Sequence, residues 1–215
     1  MTSLTEQSVS TPMNYSLVDP SDLTMQAVLQ LARNCEYEVQ HSHQVTFLAL
    51  RLFDELKTLH QLGDRERRWL EYAGILHDIG WIEGWKGHHK ATLRIILTTP
   101  TLLFSNKERL IIGSIARYHR KSLPSIKHDH YAALNLEERN YVNLLAALLR
   151  LADGLDKPHQ SLVRDLSCKI QPHKLIVRCA VERIMLPMSA GIQDKSDLFR
   201  QVFQRKVSIQ WKTML

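Results

Sequence analysis

Eleven histidines are spread over 215 residues, and several stand where helical periodicity asks for an apolar side chain. His41 lies four residues before Val45 and seven before Leu48. His77 lies four after Ala73 and seven after Leu70, with Asp78 beside it. Ile112, Ile115 and Ala116 put His119 on the same kind of inward face, and Val142, Ala146 and Leu149 lead straight to Asp153. A lone inward histidine is ordinarily a hydrogen-bonded packing residue. Inward carboxylates are harder to accommodate, because burial is costly unless the charge is paired or bound to a cation. One divalent ion held by His41, His77, Asp78 and Asp153 would satisfy all of these groups together. Imidazole and carboxylate without thiolate suit Mn, Mg, Fe, Co or Zn, and leave coordination positions for water and substrate. Such a site is catalytic in kind.

The elements that must position these residues are helical for most of the chain. Residues 1–20 are polar and Ser/Thr-rich and read as a flexible tail, with Asp19–Pro20–Ser21–Asp22 ahead of an amphipathic run through Leu31. A second helix spans about His41 to Leu59, and a third, which Asp64 can cap, carries Trp69, Leu70, Ala73 and Leu76. Gly80, Gly84 and Gly87 mark a loop. Helical periodicity resumes over Lys90–Leu97, Glu108–His119 and Glu138–Leu155, with Lys121–Asn135 read as a long surface loop. After Pro158 the pattern turns to strands at Leu162–Ile170 and Lys174–Val181, a short helix from Asp197 and a closing strand over Val207–Trp211. The expected architecture is mainly α: a helical domain over 21–160 and a small α+β appendage over 161–215 packed on it.

Composition excludes some functions. No apolar run approaches the ~18–20 residues of a membrane span, so no membrane role is expected. The N-terminus lacks a secretory pattern, and three cysteines without finger spacing suit a reducing compartment, so the expected location is cytoplasmic. A net charge of +6 favours anionic partners. Nucleic acid is not expected among them, because no recognition motif or aromatic–basic interleaving accompanies the charge. His128, His130, His159 and His173 lie in loops and read as solvated, and Trp81 and Trp85 read as rim packing.

The order His41, His77–Asp78, Asp153, set in HSHQVTFLALRLFDEL, LHDIG, GHHK, IARYHRK, LLRLADGLD and KSDLFRQVF, resembles a known family. It is similar to the C-terminal HD region of the exopolyphosphatase/guanosine pentaphosphate phosphatase family, over roughly residues 25 to 212. The resemblance implies an HD-domain helical bundle and a metal-dependent phosphohydrolase, with Asp78 both ligating the metal and orienting the nucleophilic water. It does not carry over exopolyphosphatase activity, whose site sits in a large preceding domain for which this chain has no room. In many two-domain members the HD ligands are eroded, whereas here all four are intact.

Bimetallic HD proteins add histidines between the HD pair and the final Asp. The candidates for a second metal are His88, His89 and His119, with His88 favoured over His89 because it stands four residues before Thr92. The family often reads GHHKHS, and Ala91 removes one ligand from that phrase. One ion is therefore expected to bind tightly and a second more weakly. Lys90, Arg117, Arg120 and Lys121 are the expected phosphate-binding residues. The expected substrate is a phosphorylated small molecule or polyphosphate, cleaved at an ester or pyrophosphate bond. The competing reading is a non-catalytic regulatory module that binds polyphosphate or guanosine tetra/pentaphosphate. A homodimer is a further expected partner.

Overall fold

The computed structural model describes residue 19, residues 21–182 and residues 192–214. The expected N-terminal tail lies outside the described residues apart from Asp19. The chain is mostly helical and ends in a small three-stranded sheet. Helix α1 (Leu23–Asn34) starts where the Asp22 carboxylate accepts the Met25 N–H at 2.9 Å. Helix α2 (Val39–Glu55) is followed by a separate turn, α3 (Lys57–His60), which Gln61 stops in the left-handed region at φ 56°. The single helix expected to Leu59 is thus two. Helix α4 (Asp64–Leu76) is capped by Gly63 and not by Asp64, because Glu66 reaches back to the Gly63 N–H at 2.9 Å. A short 3₁₀ turn (Ile79–Glu83) leads to α5 (His88–Thr98).

Helix α6 (Asn106–Arg117) and helix α8 (Leu136–Leu155) both begin with reciprocal capping boxes, Ser105–Glu108 and Asn135–Glu138. Between them the expected loop contains a one-turn helix, α7 (Asp129–Ala132), anchored by buried Tyr131. Helices α2, α4, α6 and α8 pack together, with α5 against α6 and the 3₁₀ turn. Strands β1 (Val163–Ile170) and β2 (Lys174–Val181) pair antiparallel, and β3 (Lys206–Thr213) joins β2 in parallel. A parallel pair needs a crossover. The described part of this one carries α9 (Ile192–Lys195) and α10 (Asp197–Phe203), which pack on α8. Leu175, Val177, Cys179 and Val181 alternate into the core, and Gln44 and Arg51 of α2 bond the backbone of β1 at Val163 and Leu166. The three cysteines are free. No described helix is long and apolar enough to cross a membrane.

One glycine sets how closely α2 and α4 approach. A Cβ at Gly74 would stand 2.6 Å from Thr46 Oγ1 and 3.1 Å from its backbone Cα, so a helix, not a flexible side chain, would have to give. Gly74→Ala is expected to cost about 1–3 kcal/mol. That corresponds to roughly 2–4 °C of thermal midpoint per kcal/mol, and an unchanged midpoint would contradict the packing argument. The capping carboxylates give a pH signature. Burial opposes ionisation of Glu108, but the Ser105 N–H and hydroxyl outweigh it and hold its pKa below 4.5. Stability from this group is complete above 4.5 and is lost as pH falls through the lower folded value. Glu108→Gln should therefore lose less thermal midpoint than the parent between pH 6 and pH 3, as followed by circular dichroism.

Candidate metal centre

Four histidines from four parts of the chain turn the same ring atom toward one region. Three of them bond a backbone carbonyl through Nδ1: His77 at Gly74 (2.7 Å), His119 at Ala116 (2.7 Å) and His88 at Trp85 (3.1 Å). The fourth, His41, bonds the Asp156 carboxylate through Nδ1 at 2.8 Å. A carbonyl oxygen only accepts, so the proton of these rings sits on Nδ1 and the lone pair of the neutral ring sits on Nε2. Metal-ligating histidines are ordinarily oriented in this way. All four rings are buried.

Apart from His88, the Nε2 atoms meet the carboxylates at distances too long for good hydrogen bonds. His41 Nε2 is 3.6 Å from Asp153 Oδ1 and 3.9 Å from Asp78 Oδ2, and His77 Nε2 is 3.5 Å from Asp78 Oδ2. On the other oxygen, Asp78 Oδ1 is 3.1 Å from His88 Nε2 and 3.4 Å from His119 Nε2. His41 Nε2, His77 Nε2 and Asp78 Oδ1 are buried without a hydrogen-bond partner. The donor atoms form two groups, His41–His77–Asp153 and Asp78–His88–His119, each within 4.8 Å. Ligands about 2.0–2.2 Å from a common ion stand roughly 3–3.5 Å apart; Asp78, His88 and His119 meet that spacing at 3.1, 3.4 and 3.5 Å, and both groups have the donor chemistry of a divalent-cation site.

The structure brings together His41, His77, Asp78, Asp153, His88 and His119. Asp78 joins the His88–His119 group more closely than the first group, where the sequence reading placed it. His89 belongs to neither group: adjacent helical residues point about 100° apart, and its ring stands edge-on to His88 at 5.8 Å. His119 lies two residues beyond the end of α6, still buried. Of the expected phosphate ligands, Arg120 contacts His88 Nε2 at 3.3 Å, while Lys90 and Lys121 are exposed. Arg117 is buried over the Tyr118 ring and its Nη1 has no hydrogen-bond partner. Trp81 and Trp85 form an exposed edge-to-face pair beside His88, as rim residues.

Three residues escaped the sequence reading. Asp156 is buried, holds His41 and accepts the Ser161 N–H at 2.7 Å. Its signal was a third carboxylate one turn after Asp153. His159, read as solvated, stacks on His41 with centroids 3.6 Å apart and pairs with Glu38. Lys195 of α9 pairs with Asp153 and donates to the His119 carbonyl at 3.2 Å. His128 also departs from the solvated reading, bonding Tyr118 Oη at 2.7 Å.

Electrostatics follow from these contacts. Burial disfavours the His41 imidazolium, but the Asp153 and Asp156 carboxylates outweigh it and push its pKa up to about 10. Burial holds His77 and His119 below the ordinary histidine value, against the pull of Asp78. Burial opposes ionisation of Asp78 and Asp153 as well. The histidines around Asp78, and Lys195 with the histidines around Asp153, nevertheless hold both carboxyls well below the usual range.

Comparison with known proteins adds a family. The model of Ppx/GppA phosphatase, domain III matches residues 24–203. The guanosine-5'-triphosphate,3'-diphosphate pyrophosphatase of Vibrio vulnificus (strain YJ016) is 28% identical over 158 residues. That match covers 72% of this chain and 30% of the relative, so the chain aligns with less than a third of the length of the curated relative it matches.

The turn that presents His77 and Asp78 is tied to α5 by one hydroxyl. Thr92 Oγ1 donates to the His77 carbonyl and accepts the Gly80 N–H, both at 3.0 Å. At Gly80 a Cβ would meet Thr92 N at 2.6 Å, so backbone lies on backbone there. Thr92→Val keeps the shape and strands two buried polar groups, at about 1–3 kcal/mol each. Chemical denaturation should register that loss; an unchanged midpoint would mean the hydroxyl does not hold the turn.

Proposed function

The chain belongs to the Ppx/GppA phosphatase, domain III family, and we propose that it is an HD-type, metal-dependent phosphohydrolase. It cleaves a phosphate ester or pyrophosphate bond of a nucleotide-like or polyphosphate anion. The observation that carries this reading is the set of four buried histidines whose Nδ1 is occupied and whose Nε2 turns toward Asp78 and Asp153, with the Nε2 of His41 and of His77 left without a hydrogen-bond partner. His41, His77 and Asp153 would hold one divalent ion, and Asp78, His88 and His119 a second, with Asp78 between the two groups. Bound there, such ions supply Lewis acidity toward a phosphoryl oxygen and make a water more acidic near neutral pH.

The chain's own residues do the rest. Asp78, which faces both groups, is placed to orient the attacking water toward phosphorus. Asp156 keeps the His41 ring from rotating. Arg120, at the edge of the His88–His119 group, offers its remaining N–H donors to the non-bridging phosphate oxygens, where charge builds as the bond breaks. In this reading residues 21–160 form the domain that holds the centre, and residues 161–215 form an appendage packed on it that contributes Lys195. The second group is the weaker, because Ala91 stands where the family phrase often offers a further histidine.

Elemental analysis and a panel of phosphate esters and anhydrides test the proposal. The parent should carry one ion after dialysis and up to two with added metal, and should release phosphate. His77→Ala combined with Asp78→Ala should lose both ions and all turnover. Metal content unchanged in that double variant would overturn the site. His119→Ala should keep the first ion and lose activity by about 10-fold or more; loss of all metal would overturn the division into two groups. Tight binding of polyphosphate to the metal-free chain, with no turnover under any metal, would favour the regulatory module instead.

A further inference from the structure

The start of α2 and the end of α8 meet over one imidazole. Glu38 stands at the N-cap of α2, three residues before His41, and Asp156 at the C-cap of α8, three residues after Asp153. From Asp156 the chain turns back over His41. The Asp156 carbonyl accepts the His159 N–H at 2.8 Å, and one carboxylate oxygen accepts the Ser161 N–H at 2.7 Å. The other oxygen bonds His41 Nδ1 at 2.8 Å. Within this loop His159 and Ser161 stand at φ 55° and 50°, in the left-handed region that residues other than glycine rarely adopt. Backbone of this kind persists only where its surroundings hold it, and it gathers where a side chain must be placed.

The side chain placed here is His159. Its ring lies face to face on His41, with centroids 3.6 Å and planes 4° apart. Free aromatic pairs prefer offset or edge-on arrangements, with centroids about 4.5–7 Å apart, so this stack is imposed. Glu38 imposes it from the other side, bonding His159 Nδ1 at 2.7 Å. The Glu38 side chain makes no capping bond to its own helix. The Glu38 side chain is 49% exposed, and ion pairs so exposed add little to stability. What the pair does add is a fixed plane.

One hydrogen bond does not immobilise an imidazole. Asp156 holds Nδ1 of His41 and leaves the ring free to tilt about that atom, whereas a pinned parallel ring blocks the tilt. The tilt matters because His41 Nε2 faces Asp153 Oδ1, on another helix, at 3.6 Å. We propose that Glu38 and His159 are positioning residues, forming a clamp that fixes the plane of the His41 ring and so directs Nε2 into the His41–His77–Asp153 group. The ion in that group rests on the reading above; the immobility of the ring does not.

Imidazole proton spectra of the chelator-treated full chain test the clamp without metal. The His41 Nδ1 proton, identified by its loss in His41→Gln, should give a downfield signal that survives exchange with water. His159→Ala and Glu38→Ala should broaden or abolish that signal and leave those of His77 and His119 in place. His159→Phe, which restores a ring over His41, should recover it. Metal titration of the same variants gives a second readout. Both alanine variants should bind the first ion about tenfold more weakly and the second within about twofold of the parent. Equal weakening of both ions, or loss of all the histidine signals together, would reveal general loosening and overturn the clamp. So would alanine variants that match the parent in both readouts while the parent binds metal and turns over, which leaves the hydrolase reading standing. A parent that binds no metal, yet loses the His41 signal in His159→Ala and regains it in His159→Phe, would remove the hydrolase reading and leave the clamp.

Discussion

Asp78 and Asp153 lie where α4, α5, α6 and α8 converge, and the interior offers them too few N–H groups to replace water. An unpaired charge in that setting costs several kcal/mol. The chain answers with imidazoles whose Nδ1 is already committed, and two of them, His41 and His77, are left with Nε2 atoms that no hydrogen bond satisfies. A cation relieves both deficits, since lone pairs of carboxylate and imidazole point the same way. The rest of the helical body serves this convergence. Gly74 lets α2 and α4 approach, Gly80 lets the turn after Asp78 lie on the α5 backbone, and Thr92 bonds both sides of that contact.

The charge balance of the centre extends into the C-terminal segment. Three carboxylates, Asp78, Asp153 and Asp156, surround His41. The charge of Asp153 and Asp156 pushes its pKa up to about 10, while burial holds His77 and His119 below the ordinary histidine value. Lys195 supplies a further positive charge to Asp153 from the crossover that parallel pairing of β2 and β3 requires. Its stem rests on Gly154, where a Cβ would stand 2.9 Å from Lys195 Cβ. The small sheet and the helical body are thereby linked at the functional centre as well as through the core.

Much of this was legible in the sequence because helical periodicity is a direct report of direction. Val45 and Leu48 fixed the inward face of α2 and so of His41, and Leu70 and Ala73 did the same for His77. Val142, Ala146 and Leu149 pointed to Asp153. Where periodicity ends, so did the reading. Asp156 sits at the end of α8, after the last apolar position, and its role depends on a residue 115 positions away. Lys195 reaches Asp153 from a short helix with no apolar stripe to orient it. His159 and His128 are in irregular segments, where stacking and hydrogen bonds, and not hydropathy, decide exposure. His88 was favoured over His89 from its place four residues before Thr92, and Gly87, in its left-handed conformation, starts α5 at His88.

Diffraction from crystals soaked in manganese, recorded at its absorption edge, tests the central claim most directly. Anomalous density is expected among His41, His77 and Asp153, with a second peak beside Asp78, His88 and His119 at higher metal concentration or with phosphate present. Crystals that show no anomalous density at either group, while the histidine and aspartate side chains keep the positions described, would contradict the account.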